Sequence, residues 1–329
     1  MEKNFWEQLD TPFFCLAPMY DVTDAAFRRI ICKYSSPDVV FTEFVSADGL
    51  VHPVGFEKLK HHLWFDDSER PIVAQLFGAT PDNFEKAARI IADMGFDGID
   101  INMGCPEKNV QKQRSGAALI ATPDLAQEII RATQKGAGNL PVSVKTRIGY
   151  DTEVIDDWIP ALLACNIAAL TVHLRTKKEM SDVPARWELM ERVVALRDKH
   201  AKGNGVRTLI IGNGDVVTID DGKQKIQDSG SDGVMIGRGV FGNPWLFADK
   251  KKSITIEEKL RVMVEHTYLY EELFTGINNF AIMKKHYKAY ASGFPDASVL
   301  RNALMQVNSA DDVGAIVEEY LEHNKEINE

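Results

Sequence analysis

"DGIDINMGCPEKNV" (97–110) is the stretch from which the rest of the chain can be read. Gly98, Ile99 and Ile101 make an apolar run of the length of a buried strand. The run ends in Asn-Met-Gly-Cys-Pro. A cysteine therefore sits at the mouth of a strand, fenced by Gly104 and Pro106, with charged residues after it. The same figure, an apolar run closed by polar residues, recurs along the chain. The runs are Phe13–Ala17, Val39–Glu43, Ile72–Phe77, Gly98–Asn102, Val142–Thr146, Ala169–His173, Thr208–Gly212 and Gly233–Ile236. Most are rich in Val, Ile, Leu or Phe, as strands covered on both faces should be. Helical candidates lie between them: Asp82–Met94, opened by Thr80-Pro81 and stopped by Gly95, then Pro123–Gln134, Glu153–Cys165, Pro184–His200 and Ile219–Asp228. Cys32, after Ile30-Ile31, falls on a further one. Such alternation over ~250 residues predicts an α/β fold, a parallel (β/α)8 TIM barrel, with a doubly wound open sheet as its competitor.

Beyond Trp245-Leu246-Phe247 the pattern changes. Thr255–Phe274, Asn279–Ser292, Ser298–Gln306 and Ala310–Asn324 all read as helices, and no strand is expected among them. The chain is thus expected to hold a barrel over residues 1–250 and a small all-α domain over 251–329. The charged stretch Asp249-Lys250-Lys251-Lys252 is the expected boundary.

Composition narrows the class. Of 329 residues, 45% are hydrophobic and 26% charged, as in ordinary globular proteins. No apolar run reaches the ~18–20 residues of a membrane span. The opening Met1–Glu7 carries acids and lacks a signal-peptide core, so a cytoplasmic protein is expected, with no membrane partner. The four cysteines form no C-x-x-C pair and no zinc spacing, so no metal is expected. Cys15, Cys32 and Cys165 read as buried small hydrophobes, and Cys105 stands apart by its position. The formal net charge of −10 argues against a nucleic-acid partner unless basic residues gather locally. A monomer is the default expectation.

In a barrel, chemistry gathers at the C-terminal strand ends. The eight runs are closed there by Pro18-Met19-Tyr20, Glu43, Gln75 with Gly78, Asn102 with Gly104 and Cys105, Lys145 with Arg147, His173 with Arg175, Gly212-Asn213-Gly214-Asp215, and Gly237-Arg238-Gly239. A single such residue means little, whereas a ring of them predicts an active site. The two Gly-rich turns on adjacent strands suit a phosphate held by backbone N–H groups, with Arg238 as a bidentate clamp. Lys145, half-buried between Val144 and Thr146, must pair with an anion or lose its proton. It suits the negative charge of a reduced flavin, or a Schiff base of aldolase type. The amides of Gln75 and Asn102 suit a flat ring with alternating donors and acceptors, an isoalloxazine or a pyrimidine.

Together, "APMYDVTDAAFRR" (17–29), "AQLFG" (74–78), "DINMGCP" (100–106), "GAALI" (116–120), "VKTRIG" (144–149), "HLRT" (173–176), "IIGNGDV" (210–216) and "VMIGRGVFGNPW" (234–245) resemble the flavin-dependent tRNA-dihydrouridine synthases. The tail, with "MKKHYKAYASGFPDASVLRNALMQVNS" (283–309), is similar to that family's C-terminal helical domain. The resemblance implies a barrel holding FMN, NADPH as reductant and tRNA as partner. It implies hydride transfer from flavin N5 to uracil C6, with a cysteine protonating C5. Cys105 occupies the position of that cysteine, and a thiol of ordinary pKa, about 8.5, is protonated at neutral pH. Carried over by position, Pro18, Met19 and Tyr20 border the flavin. Gln75 and Lys145 bind its ring. His173 lies near its phosphate or ribityl chain, and Asn213, Gly214, Asp215, Gly237 and Arg238 hold the phosphate end. Asn102 and Arg147 contact the uracil. In "RTKKEMSDVPARW" (175–187), Asp182 and Pro184 depart from a common pattern of the family's sixth loop.

Three groups of cations answer the charge problem: Lys108, Lys112 and Arg114 after the cysteine; Arg175, Lys177, Lys178 and Arg186 in the sixth loop; and Lys284, Lys285, Lys288 and Arg301 in the tail. They read either as scattered solvated charge or as a basic stripe, in which Lys284, Lys285 and Lys288 share a helix face and Lys284 and Lys288 meet RNA. Rival readings are a small-molecule FMN-dependent pyrimidine reductase or dehydrogenase on the same barrel, a Schiff-base aldolase using Lys145, and a non-catalytic RNA-binding protein.

Overall fold

The computed structural model describes residues 4–248 and 253–328, with side chains as far as His323. The expected boundary at 249–252 lies outside the described residues. The chain divides into two compact units, Met1–Thr23 with Pro37–Gly237 and Asp24–Ser36 with Arg238–Glu329.

The first unit is a closed parallel barrel of eight strands in chain order. They are β1 (Phe13–Leu16), β2 (Val39–Ser46), β3 (Ile72–Phe77), β4 (Gly98–Met103), β5 (Val142–Arg147), β6 (Ala169–His173), β7 (Leu209–Asn213) and β8 (Gly233–Ile236), with β8 pairing back onto β1. The sequence expectation of a TIM-type barrel is borne out. The main departure is β2, which runs on past Glu43 to Ser46. Its register on β3 shifts between Phe41 and Phe44. Thr42 fills the irregularity, its hydroxyl donating to the Glu43 carbonyl at 2.9 Å and accepting from the Gln75 N–H at 3.1 Å. A bulge of this kind re-aims one side chain at a barrel rim, and here that side chain is Glu43.

The barrel floor is apolar. Phe13, Cys15, Val39, Phe41, Val73, Ala169, Ile211 and Met235 fill it, and Trp6 joins the same cluster, its ring 6.1 Å from Phe13 and 6.4 Å from Phe41. The polar inward positions lie toward the opposite, C-terminal end. Helices after the strands carry the expected punctuation. Proline stands in the first turn of the helices Pro81–Asp93 and Pro123–Ala137. Left-handed Gly205 and Gly230 end Met190–Asn204 and Ile219–Ser229. The helix expected from Pro184 starts only at Met190, after a short 3-10 turn, Trp187–Leu189. The sixth loop is correspondingly longer.

The second unit is helical. It takes Ala25–Tyr34 from between β1 and β2 and adds Ile256–Phe274, Lys284–Tyr290, Ala297–Leu304 and Ala310–Asn328. A capping box at Thr255 and Glu258 starts the first of the tail helices. The unit closes around Phe27, whose ring lies 5.7 Å from His266, 5.2 Å from His286 and 6.4 Å from Phe241. Lys33 and Tyr34 both reach Glu265, at 2.6 Å each. No described helix is long and apolar enough to cross a membrane.

Candidate active site

Strand register assembles the site. Gln75 stands beside Asp100, Asp100 beside Ser143, and Asn102 beside Lys145. The two-residue period of a strand sends these polar side chains to one face. Ser143, Asp100, Gln75 and Asn102 form a single hydrogen-bonded chain. Ser143 Oγ donates to Asp100 Oδ1 at 2.6 Å and Gln75 Nε2 donates to Asp100 Oδ2 at 2.7 Å. Asn102 Nδ2 donates to Gln75 Oε1 at 3.0 Å. Asn102 Oδ1 in turn accepts from the backbone N–H of Gly104 at 3.1 Å and of Cys105 at 2.9 Å. An ionised carboxylate only accepts, so Asp100 fixes the sense of the Gln75 amide, and Gln75 fixes that of Asn102. Burial pushes Asp100 up to about 6, against the pull of Ser143, Gln75 and Lys145.

The chain ends at the loop carrying Cys105. The Cys105 carbonyl accepts from Ala117 N–H at 3.1 Å and from Gln111 Nε2 at 2.5 Å, so the residue is held from both sides. Its side chain is buried, and burial pushes the thiol up from its ordinary range. It is therefore protonated at neutral pH.

Lys145 Nζ donates to Asn213 Oδ1 at 3.1 Å, and Asn213 Nδ2 donates to the Met235 carbonyl at 2.8 Å. Burial and the neighbouring Arg147 cation lower Lys145 to about 8. Arg147 ties two loops together. Its Nε donates to the Gly104 carbonyl at 2.8 Å, and Nη1 donates to the carbonyls of Thr176 at 3.1 Å and Met180 at 2.9 Å. Burial lowers it to about 10, which leaves it cationic at neutral pH.

The seventh strand's turn is built around a second buried cation. Arg175 donates through Nη2 to Asp215, through Nε to the Val183 carbonyl at 2.5 Å and through Nη1 to His173 Nε2 at 3.1 Å. Asp215 Oδ2 also accepts from Ala185 N–H at 2.8 Å. Trp187 Nε1 donates to the Gly214 carbonyl at 2.8 Å, and Gly214 has a φ of +125°, which only glycine adopts readily.

The sequence model of the family described as Dihydrouridine synthase (Dus) matches residues 15–326. The chain belongs to the dihydrouridine synthase family. Its curated relatives are near full-length matches. A "Probable tRNA-dihydrouridine synthase" of Staphylococcus aureus is 42% identical over 97% of this chain and 96% of its own. One of Staphylococcus epidermidis is 43% identical over 94% of both. "Probable tRNA-dihydrouridine synthase 2" of Bacillus subtilis is 41% identical over 97% of both.

In this dihydrouridine synthase-family chain, Gln75, Asn102, Cys105, Lys145, Arg147 and Asn213 sit at the strand ends and loops that share these bonds. His173 is the register neighbour of both Arg147 and Asn213. Pro18, Met19 and Tyr20 form a turn after β1, closed by Thr23, whose hydroxyl accepts from Met19 N–H at 2.9 Å. Tyr20 is about half exposed, at 52%. Gly237 closes β8, and Arg238 follows it as the first residue of the second unit's longer segment. Lys284 and Lys288 lie on Lys284–Tyr290 of that unit, Lys288 exposed and Lys284 half-buried.

Sequence reasoning passed over Asp100 and Ser143, which anchor the chain, and His62 with its link to Glu43. A carboxylate inside an apolar run was the available signal, since a charge there must be paired. Two of the expected basic residues in the sixth loop are taken up by the protein itself, Arg175 by Asp215 and Arg186 by Glu179 at 2.9 Å. In the tail, Arg301 Nη1 donates to the Ala291 carbonyl at 2.7 Å. Among the described residues, no group of three His, Cys, Asp or Glu side chains is placed to hold a metal ion.

Proposed function

We propose that this protein reduces a uridine of tRNA to 5,6-dihydrouridine in the cytoplasm, with FMN as bound cofactor and NADPH as reductant. The observation that carries the reading is the chain Asp100–Gln75–Asn102, which ends on the backbone of a buried, protonated Cys105 beside the Lys145 cation.

The barrel mouth suits a flat phosphate-bearing cofactor. Gly237 is the test. It has no positive φ, and a Cβ there would meet nothing nearer than Ala17 Cβ and Met19 Sδ, both at 3.6 Å. The first unit imposes no need for glycine at that strand end, whereas close approach of a ligand does. The backbone N–H groups of Gly214, Asp215 and Gly237, with the side chains of Asn213 and His173, would hold the phosphate and ribityl end. Pro18, Met19 and Tyr20 would border the ring. Lys145 offers a cation to its pyrimidine edge. Gln75, after bonding Asp100 and Asn102, keeps one N–H and one lone pair for the same edge. When bound, FMN supplies a hydride.

The protein's own groups do the rest. Asn102 and Arg147 orient the uracil. Cys105 holds a proton at Sγ for C5, where negative charge grows as C6 is reduced. The loop that carries the thiol is pinned by Arg147 at Gly104 and by Asn102 at Cys105. Lys284 and Lys288 supply cations for RNA phosphates.

Capture of Arg175 and Arg186 by carboxylates favours one second reading, reduction of a free pyrimidine. One experiment separates the two. FMN-loaded protein is incubated with NADPH and tRNA lacking dihydrouridine, and in parallel with free uridine and uracil. Nucleoside mass spectrometry should show two hydrogens gained at a mapped uridine of the tRNA. Reduction of the free pyrimidine alone would establish the second reading, and no reduction of either would overturn both.

A further inference from the structure

Beside the cysteine loop, the first unit carries a cleft of about 340 Å³, of whose lining the proposed chemistry uses Tyr20 alone. Its walls are aromatic. Tyr20 lies 5.4 Å from Phe44 and 5.7 Å from His62, ring centre to ring centre, and Phe44 meets Phe77 edge-on at 5.4 Å. The bulge in β2 sets the imidazole. Glu43, buried at 2% exposure, accepts from His62 Nδ1 at 2.9 Å and from the Asp21 N–H at 2.5 Å. A buried carboxylate on Nδ1 fixes the ring plane and leaves Nε2 as an acceptor in the neutral imidazole. The opposite lip is the segment just after Cys105, where Glu107, Asn109, Val110 and Gln113 line the cleft. Lys108, Lys112 and Arg114 alternate with those lining residues, and all three are exposed.

Aromatic faces with cations along one lip are a pairing that binds single-stranded nucleic acid, bases on the rings and phosphates on the cations. We infer that this cleft is a second base subsite: it stacks a nucleobase of the RNA flanking the reduced uridine, with Lys108, Lys112 and Arg114 on the adjoining phosphates. The subsite holds the strand open on one side of the flipped uracil, so that the strand does not close again over Cys105. The single carboxylate on that lip, Glu107, lines the cleft and is exposed, and the three cations outnumber it.

This inference rests on the proposed RNA substrate, and the test separates the two. The wild-type protein must first reduce a mapped uridine of tRNA. If it reduces none, the proposed function fails before the subsite is examined. The base on each side of that uridine is then removed in turn, leaving an abasic sugar. Removal on one side should raise KM about tenfold with kcat little changed, within the range that alanine substitution gives for one stacked base. His62→Ala should raise KM by a similar factor on intact tRNA and add nothing on the abasic RNA. Gln113→Trp, at an exposed lip position that leaves the core untouched, should fill the cleft and raise KM comparably, while the rate of flavin reduction by NADPH alone stays the same. Equal KM for abasic and intact RNA, or losses from His62→Ala and base removal that multiply independently, would overturn the subsite. So would a Gln113→Trp protein slowed in flavin reduction, which would give the cleft to the nicotinamide.

Discussion

The strand-end chain of the barrel and the histidine pair of the helical unit bury polar side chains on opposite terms. In the barrel, Asp100, Gln75, Asn102 and Ser143 are at most 7% exposed, and each passes a hydrogen bond to the next until the Cys105 backbone is reached. In the helical unit, His266 and His286 are equally buried, yet none of their four ring nitrogens has a hydrogen-bond partner. They pack as aromatic volume, 4.9 Å apart, against Phe27. A neutral imidazole carries one N–H, and leaving it unpaired costs about 1–3 kcal/mol. The barrel's polar groups specify direction, amide by amide. The helical unit's pair only fills space, and it does so against a standing penalty. One arrangement has the mark of a site that positions a ligand, the other of a scaffold.

If the barrel chain transmits orientation, reversing its first member should have the largest effect. Asp100→Asn with its N–H turned to Gln75 sets two donors face to face. Gln75 and then Asn102 turn over, and the Gly104 and Cys105 N–H groups then face Asn102 Nδ2 and lose their acceptor. Displacement of a reacting group by as little as 1 Å can cost about a hundredfold, and single-turnover reduction of tRNA should slow by that order. A protein within threefold of the parent would break the contrast between the two units.

Lys145 gives the next effect. Its pKa near 8 reflects a burial that no carboxylate fully offsets. Above that pH the amine loses its proton, so affinity of the apoprotein for FMN should fall, approaching tenfold per pH unit. Flavin fluorescence titrations from pH 7 to 10 would show it, and Lys145→Met should abolish the dependence. A flat wild-type profile would remove Lys145 from the cofactor site.

The helical pair should give the smallest effect, and one of opposite sign. Burial pushes His266 down to about 3 from 6.5 and His286 well below its ordinary value. Below about pH 6.5 the unfolded chain therefore takes up protons that the folded unit refuses, and stability falls as the pH drops. Replacing both by Phe removes the unpaired nitrogens and the acid sensitivity together. The lowest thermal transition should rise by about 2–8 °C, and the acid midpoint should move down. An unchanged acid midpoint would mean that the two rings find partners in solution.

Much of this was legible in the residues. Eight apolar runs closed by polar residues gave the barrel, because a strand covered on both faces has few other ways to be written. Cys105 stood out since Gly and Pro around a thiol serve a turn rather than a core. Asp100 was passed over because one charge in an apolar run looks like noise until register sets it against Gln75 and Ser143. The extension of β2 past Glu43 depends on a bulge filled by Thr42, a long-range contact that spacing does not reveal. Arg147 and Arg175 were visible as cations at strand ends. That their donors are held by the protein's own carbonyls and by Asp215 follows only from how the fifth, sixth and seventh loops come together. His266 and His286 read simply as helix residues, since burial without partners leaves no trace in composition.

The account turns on Cys105 as the proton donor at the end of the barrel chain. Cys105→Ala in FMN-loaded protein, followed in a single turnover with tRNA, tests it. Formation of dihydrouridine should fall about 10²–10⁴-fold, the range for a missing general acid, while reduction of the flavin by NADPH keeps its rate. Dihydrouridine formed by the variant within twofold of the parent rate would contradict it.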